Sequence, residues 1–531
     1  MIMATALPTD RARLLSALAQ AREYDVAIIG GGATGLGVAL DAALRGLSVV
    51  LLESHDFAKG TSSRATKLVH GGVRYLAQGN IALVREALHE RTTLLRNAPH
   101  LARPLAFVMP SYKLWETPFY GIGLKVYDAL AGKAGLGSTQ FLSAVQTELC
   151  LPGVKMKGLK GSVKYWDGQF DDARLALALA RTAATRGALL VNYCAVTDLL
   201  HEQGRIVGLR CQDEEFGTEY TLRAKCVINA AGVWVDEIRQ KDGAALHRIV
   251  RPMVAPSQGV HLVVDSDFSP GDHAMLVPKT QDGRVLFAVP WLGKLILGTT
   301  DTPRHDLARE PDAYAREVDF ILGESAKYLK RAPSRADVRS IWVGLRPLVR
   351  PPDDEEGDNT KKISREHTVL VSPSGLVTVT GGKWTTYRAM AEDVLRKCIE
   401  ASLLFDVPPS QTADYKLVGA GDGGVTRVSL TAAPGLDSYG CESDYVQSLE
   451  GHDQEITPGL SESMVRFAVR FEYARCVEDV LARRFRLLFL DARLAAQVAP
   501  RVAQIVQEET GLDPRLEIFL QLARHYSSLP S

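Results

Sequence analysis

The chain has 531 residues, with 62 basic and 62 acidic side chains and 46% hydrophobic residues. That apolar content supplies a large core and two or three domains, while the balanced charge gives no global field to draw in nucleic acid. Seven cysteines without a Cys-x-x-Cys pair argue against a disulfide framework or a zinc site and fit a reducing compartment.

The first 24 residues carry Asp10, Arg11, Arg13 and Arg22 around a short apolar stripe and read as a helical extension without a signal-peptide core. Asp25 to Glu53 then reads as strand, glycine turn, helix, strand and acid. Gly30, Gly32 and Gly35 fall on the spacing G-x-G-x-x-G between the β-branched run ending at Ile29 and a small, apolar helix ending near Arg45. In that setting the first glycine permits the turn, the second lets backbone approach a pyrophosphate, and the third lets helix and strand pack closely. The N–H groups at the helix start favour the diphosphate charge. Glu53 closes the second strand, where an acid bonds a ribose hydroxyl. The pattern predicts a bound dinucleotide.

Asn80 to Asn97 sets Val84, Leu88 and Leu95 on one helical face against a core. Asp171 or Asp172 can cap a helix running through Arg186, followed by strands over ALLVNY, RIVGLRCQ and TEYTLRA. CVINAAGVWVD returns as a buried strand and a turn at Gly232. From His247 to about Thr300 the runs VHLVV, AMLVP, RVLFAVP and KLILGTT predict an antiparallel sheet. Pro351 to Lys362 is acidic and polar but lacks the calcium-loop pattern, so no metal site is expected. LVTVT is a strand, Gly381 and Gly382 a turn, and Lys383 opens a helix with Thr385 in its first turn. If that helix points at a flavin, its dipole stabilises the charge of the reduced ring. After Asp406 a polar, Gly-rich linker (407–460) leads to helices over 461–531, read as a separate cap.

The segment GTSSRATKLVHGGVRYL (Gly60 to Leu76), with WDGQFDDARL, ILGTTD, VGLRPL and TGGKWTTYR further on, resembles the FAD-dependent glycerol-3-phosphate dehydrogenases of the D-amino-acid-oxidase-like superfamily. The fragments keep the family's order over more than 300 residues. The resemblance implies a mixed α/β and α+β architecture: a Rossmann-like FAD-binding domain (about 25–100, 165–245 and 365–400), an antiparallel-sheet substrate domain (about 101–164 and 246–364) and a C-terminal helical cap. It adds Thr61, Ser62, Ser63, Gly71 and Gly72 to the cofactor positions named above. Arg74, Arg346 and Arg365 map onto the phosphate grip, a task that suits the planar guanidinium fork.

The implied chemistry is hydride transfer from C2 of sn-glycerol 3-phosphate to flavin N5, with electrons passed to a membrane quinone. Two alternatives stand beside it: an oxidase using oxygen, and a non-catalytic flavin-bound regulatory protein. For the proton acceptor, His261 stands in the strand-like GVHLVV, Lys383 is the alternative or the orienting cation, and Tyr75 can hold the same oxygen. The expected place is the cytoplasm, peripheral on the inner face of the cytoplasmic membrane, and a homodimer is allowed. For a membrane surface the candidate is the run of Arg466, Arg470, Arg475, Arg483, Arg484, Arg486 and Arg493 among Phe467, Phe471, Leu481, Leu487, Leu488 and Phe489; a packed helical cap is the equal alternative, because Glu472, Glu478 and Asp479 interrupt the charge.

Overall fold

Strand Glu23–Ile29 is buried on both faces, which explains its unbroken apolar character. The computed structural model describes residues 9–72, 80–280, 283–350, 367–421 and 429–531. Val26 and Ile28 face a layer of three helices, Ala33–Leu44, Asp172–Thr185 and Tyr387–Glu400, while Ala27 and Ile29 face the opposite side. Glu23–Ile29 pairs in parallel with Val49–Leu52 and with Glu219–Asn229. Leu189–Val191 and Val377–Gly381 extend the parallel sheet on either side. The long strand Glu219–Asn229 joins two runs that the sequence reads separately, because its first half pairs with the antiparallel meander Cys194–Glu202 and Arg205–Asp213. The expected helices near residues 80 and 172 are present, capped by the Asn80 and Asp171 side chains.

A second, ten-stranded sheet is antiparallel throughout except where Ala274–Val277 runs parallel to Ala102–Ser111. One of its two longest pairings joins Val254–Asp265 to Ser340–Val349, with Ser257 opposite Arg346 and His261 opposite Trp342. Side chains alternate across a strand, so Ser257, Gly259 and His261 share one face with Trp342, Gly344 and Arg346.

The C-terminal helices Glu462–Phe471, Ala492–Thr510 and Leu516–Ser527 form the expected helical cap, and they share one hydrophobic core with Val289, Trp291 and Trp342 of the second sheet. The 407–460 stretch is more than a linker: Leu417, Tyr439 and Val446 are buried, and Glu442 pairs with Arg181. Its polar composition hides this because the apolar anchors are widely spaced.

The same helices do not form the candidate membrane surface. Phe467, Phe471, Leu481, Leu487, Leu488 and Phe489 are all buried. Arg466 and Arg470 pair with Glu509, Arg475 with Glu215, Arg483 and Arg484 with Asp56, and Arg486 with Asp172; Arg493 alone of that set is exposed. Arg475, Arg483, Arg484 and Arg486 tie the C-terminal region to the nucleotide half. Arg484 reaches Asp56 with two nitrogens, Arg483 reaches Asp56 and Asp479, and all four groups are buried. The paired guanidinium groups hold the Asp56 carboxyl below its ordinary value even against burial. Removing one partner of such a cluster leaves charge uncompensated in a low-dielectric interior. Asp56→Ala is therefore expected to cost about 3–5 kcal/mol, read as a drop in melting temperature, with Asp56→Asn recovering part of it.

Candidate active site

Five separate segments meet where the parallel strands end. Gly30 has a φ of +108°, and a Cβ there would lie 2.7 Å from the Ala230 carbonyl oxygen. A Cβ on Gly35 would lie 2.0 Å from the Gly30 oxygen, so helix and strand touch only because both positions are glycine. Gly32 caps the helix Ala33–Leu44 and brings no side chain to its N–H groups, leaving a backbone cradle at the positive end of the dipole. Glu53 borders that cradle, accepting from the Gly31 N–H at 2.7 Å and the His55 N–H at 2.9 Å. A glycine turn, an open helix start and an acid beside it are the donor set that a diphosphate and ribose require, so the residues fit a dinucleotide.

The loop 60–67 lies over this turn and joins it to everything else. Ser62 Oγ accepts from the Ala33 N–H at 2.9 Å, and its carbonyl accepts from Trp384 Nε1 at 2.9 Å. Thr61 Oγ1 donates to the Leu345 carbonyl at 2.6 Å, and Arg64 lies over Gly344 and reaches the Val343 carbonyl. Trp384–Thr386 is a single 3₁₀ turn ahead of the helix Tyr387–Glu400, with Lys383 at its N-cap and Gly381–Gly382 before it. Thr380 Oγ1 on the preceding strand donates to the Gly232 carbonyl at 3.0 Å, bringing that turn in as well. Gly71 is held from behind by its N–H bond to Asp167, next to Gly72. These bonds bring the glycine turn, Glu53, Thr61, Ser62, Gly232 and the Gly381–Thr385 segment to one place, and the Thr385 hydroxyl donates to the His70 carbonyl beside Gly71.

Of the expected substrate and catalytic residues, Arg74, Tyr75 and Arg365 lie outside the described residues, as does the acidic stretch at 351–362. Arg346 and His261 share the sheet face that looks onto the loop. The Arg346 guanidinium donates to the Gln258 and Thr300 carbonyls at 3.2 and 2.9 Å and to Thr299 Oγ1 at 3.2 Å, and it pairs with Asp301 at 3.3 Å. Gly259 opens the space for it, since a Cβ there would lie 2.3 Å from an Arg346 nitrogen.

His261 is buried, stacked on Trp342 at 5.2 Å, with Nε2 2.9 Å from Thr66 Oγ1. Its Nδ1 is enclosed without a hydrogen-bond partner among the described residues. Burial, then the charges of Arg346 and Lys67, hold its pKa well below 6.5, so the ring is neutral at neutral pH.

Sequence reasoning passed over Lys67, Thr66 and Trp342, and read Asp172 only as a candidate helix cap. Lys67 is fully buried and donates to the Ser63 carbonyl at 2.7 Å and to both Asp172 oxygens at 2.9 and 2.7 Å. The one available signal was a lysine inside ATKLVHGG, a small and apolar context in which a charge has to be paired.

Comparison with known proteins agrees with this geometry. The profile of FAD dependent oxidoreductases matches residues 25–389, and that of the C-terminal domain of alpha-glycerophosphate oxidase matches residues 410–516. The mitochondrial glycerol-3-phosphate dehydrogenase of Rattus norvegicus is 40% identical over 537 residues, covering 94% of this chain and 72% of that protein. The probable mitochondrial enzyme of Caenorhabditis elegans is 41% identical, covering 96% and 73%. The chain belongs to the FAD-dependent glycerol-3-phosphate dehydrogenase family. Among solved structures, the FAD complex of the Bacillus halodurans glycerol-3-phosphate dehydrogenase aligns with a TM-score of 0.77 at 30% identity over 98% of both chains. The L-alpha-glycerophosphate oxidase of Mycoplasma pneumoniae, at 17% identity and a TM-score of 0.56, shares the fold. FAD is the cofactor of this family member, and the glycine turn, Glu53 and the loop 60–67 are the residues that would hold it.

Two outcomes follow from the geometry. Glu53→Arg puts a cation and a longer side chain beside the Gly31 N–H, so the purified variant should carry less FAD per chain than the parent, measured by flavin absorbance after acid release. For His261, a pKa held below 6.5 in the fold means that the unfolded chain takes up the proton first as pH falls. Its contribution to stability is complete above 6.5 and is lost on acidification below that value. His261→Gln should therefore lose less melting temperature than the parent when pH is lowered through this window.

Proposed function

We propose that the chain oxidises sn-glycerol 3-phosphate at C2 to dihydroxyacetone phosphate and passes the electrons to a membrane quinone. The observation that carries the reaction is a fixed guanidinium and a neutral, buried imidazole on one sheet face, set against the nucleotide-binding loop through Thr61 and Thr66. FAD, when bound, supplies the hydride acceptor. The protein's share is to bind the dianion, set C2 toward the cofactor side and remove the hydroxyl proton.

Arg346 is the phosphate ligand best supported by the structure. Its carbonyl, hydroxyl and carboxylate partners fix the guanidinium in place before substrate arrives, which lowers the ordering cost of binding. Arg74 and Arg365 complete the grip in this reading. His261 accepts the C2 hydroxyl proton, its neutral state being the form a base needs, and Thr66 fixes the orientation of the ring. Lys383, at the start of the 3₁₀ turn beside the cofactor loop, orients the same oxygen, with Tyr75 as its partner. The relatives that cover nearly the whole chain carry glycerol-3-phosphate dehydrogenase in their names, which supports the substrate. For the acceptor, a quinone demands access to lipid, and no helix among the described residues is long and apolar enough to cross a membrane. In this reading the contact is peripheral. The same reading places the chain on the inner face of the cytoplasmic membrane.

Steady-state turnover with glycerol 3-phosphate and a soluble dye tests the reaction. Arg346→Ala should lower kcat/KM for glycerol 3-phosphate by about 100-fold or more, the scale of a lost charge-assisted contact in a desolvated site, while the weak turnover of unphosphorylated glycerol changes little. An equal loss on both substrates would move the phosphate elsewhere. His261→Gln should reduce kcat by about 10²–10⁴-fold, the range of a positioned base.

A further inference from the structure

We propose that the outer face of helix Glu116–Ala131, with the adjoining strand Gln140–Leu142 and helix Ala144–Cys150, is the surface by which the enzyme lies on an anionic lipid bilayer. This rests on the reading above that a membrane quinone takes the electrons, and it replaces the C-terminal surface that the fold excludes.

Trp115, Phe119, Ile122 and Val126 recur at spacings of four, three and four residues, so they form one stripe along the helix. This stripe points outward: Phe119 is 64% and Ile122 66% exposed, and Trp115 and Val126 are also exposed. Leu124, Tyr127 and Ala131 supply the buried side instead. The patch continues onto its neighbours. A Cβ on Gly121 would lie 2.1 Å from the Phe141 ring, so the exposed Phe141 lies directly against this helix. The next helix shows Val145 and Leu149, the latter 77% exposed, one turn apart. Phe119 meets Trp115 and Tyr120 edge to face with centroids 5.8 and 5.3 Å apart, an aromatic cluster of the kind that settles at headgroup depth. A patch of this size on a water-facing surface marks a contact.

The charge around the patch identifies its partner. Residues 111–164 contain Lys113, Lys125, Lys133, Lys155, Lys157, Lys160 and Lys164, no arginine, and only Glu116, Asp128 and Glu148 as acids. Two of the acids are turned back on the backbone: Glu116 accepts from the Tyr112 and Lys113 N–H groups at 2.9 and 3.1 Å, and Asp128 from the Thr139 N–H at 2.6 Å. The loop bearing Lys155, Lys157 and Lys160 is held beside the start of the patch. Tyr112 Oη donates to the Lys155 carbonyl at 2.8 Å, and the Lys160 N–H to the Ser111 carbonyl at 2.8 Å. Those three lysines and Lys113 are exposed and form no salt bridge with a described carboxylate. An apolar face rimmed by unpaired lysines matches anionic headgroups. A second copy of this chain is a poorer partner, because a twofold contact through this face would bring lysines against lysines.

The inner side of the helix gives the surface its use. Tyr127 bonds Asp167 at 3.1 Å, and a Cβ on Gly71 would lie 2.2 Å from the Tyr127 hydroxyl. The helix thus rests on the HGG turn of the cofactor site, and only about one helix diameter, roughly 10–12 Å, separates that turn from the proposed lipid face.

The test sediments the full-length holoenzyme with phosphatidylcholine vesicles, with and without phosphatidylglycerol, at low and high salt. The expected result is pelleting that needs the anionic lipid and weakens with salt. Phe119→Ser/Ile122→Ser/Val126→Ser should weaken it by about tenfold or more, and Lys155→Gln/Lys157→Gln/Lys160→Gln should weaken it at low salt and flatten the salt dependence. Both variants should keep the parent's flavin content and dye-linked turnover of glycerol 3-phosphate, and should lose turnover with quinone embedded in the vesicles. Unchanged pelleting by the serine variant overturns the proposal. So does a parent protein that ignores vesicles but sediments as a dimer which the serine variant breaks, since the face then belongs to a second copy. Failure of dye-linked turnover in the parent would overturn the functional reading instead, separately from the vesicle result.

Discussion

The rest of the site depends on the way the loop 60–67 is pinned. Lys67 sits in the left-handed region at a φ of +65°, a conformation that costs a non-glycine residue about 1–2 kcal/mol. It is held there because its ammonium is enclosed with three acceptors, the Ser63 carbonyl and both oxygens of Asp172, and because Arg486 approaches the same carboxylate at 3.0 Å from the C-terminal region. A buried charge with all its protons used has no alternative position of similar energy. With the loop fixed at this end, Ser62 meets the helix start, Thr61 the substrate sheet, and Thr66 the histidine. One buried lysine–aspartate pair therefore sets the relative placement of the cofactor cradle and the substrate face.

The nucleotide half of this arrangement was legible in the sequence because its constraints are local. Gly30, Gly32, Gly35 and Glu53 lie within one strand–turn–helix–strand unit, where spacing and periodicity carry the geometry. His261 and Arg346 were placed by resemblance, and their common sheet face is a matter of register between strands some 85 residues apart, which no local pattern encodes. Lys67, Thr66 and Trp342 were missed for the same reason. Their importance lies in partners brought in by the fold, and each alone resembles an ordinary residue of its kind.

The C-terminal arginines show how composition misleads when partners are distant. Arg483 and Arg484 find Asp56, more than 400 residues earlier in the chain, and Arg486 finds Asp172. From sequence alone an arginine-rich, aromatic-rich helical region reads as a basic amphipathic surface. In the fold, both its charges and its apolar side chains are consumed by the interior. The helix Glu116–Ala131 escapes notice in the sequence for the converse reason: its apolar residues seem destined for a core, and only their exposure shows that they are not part of one.

Charge and burial act together at the proposed base. His261 is enclosed between Trp342 and Thr66, and the charges of Arg346 and then Lys67 lower its proton affinity further. A neutral imidazole is available across the neutral pH range, but such a depressed base is also a weak one. In the proposed reaction the arriving phosphate dianion neutralises part of the cationic field at Arg346, which raises the basicity of His261 at the moment a C2 hydroxyl is beside it. Substrate binding and proton abstraction are then coupled through one guanidinium. Glycerol brings no such charge, so it would leave the base weak as well as losing the grip, which makes the phosphate part of the chemistry and not only of recognition.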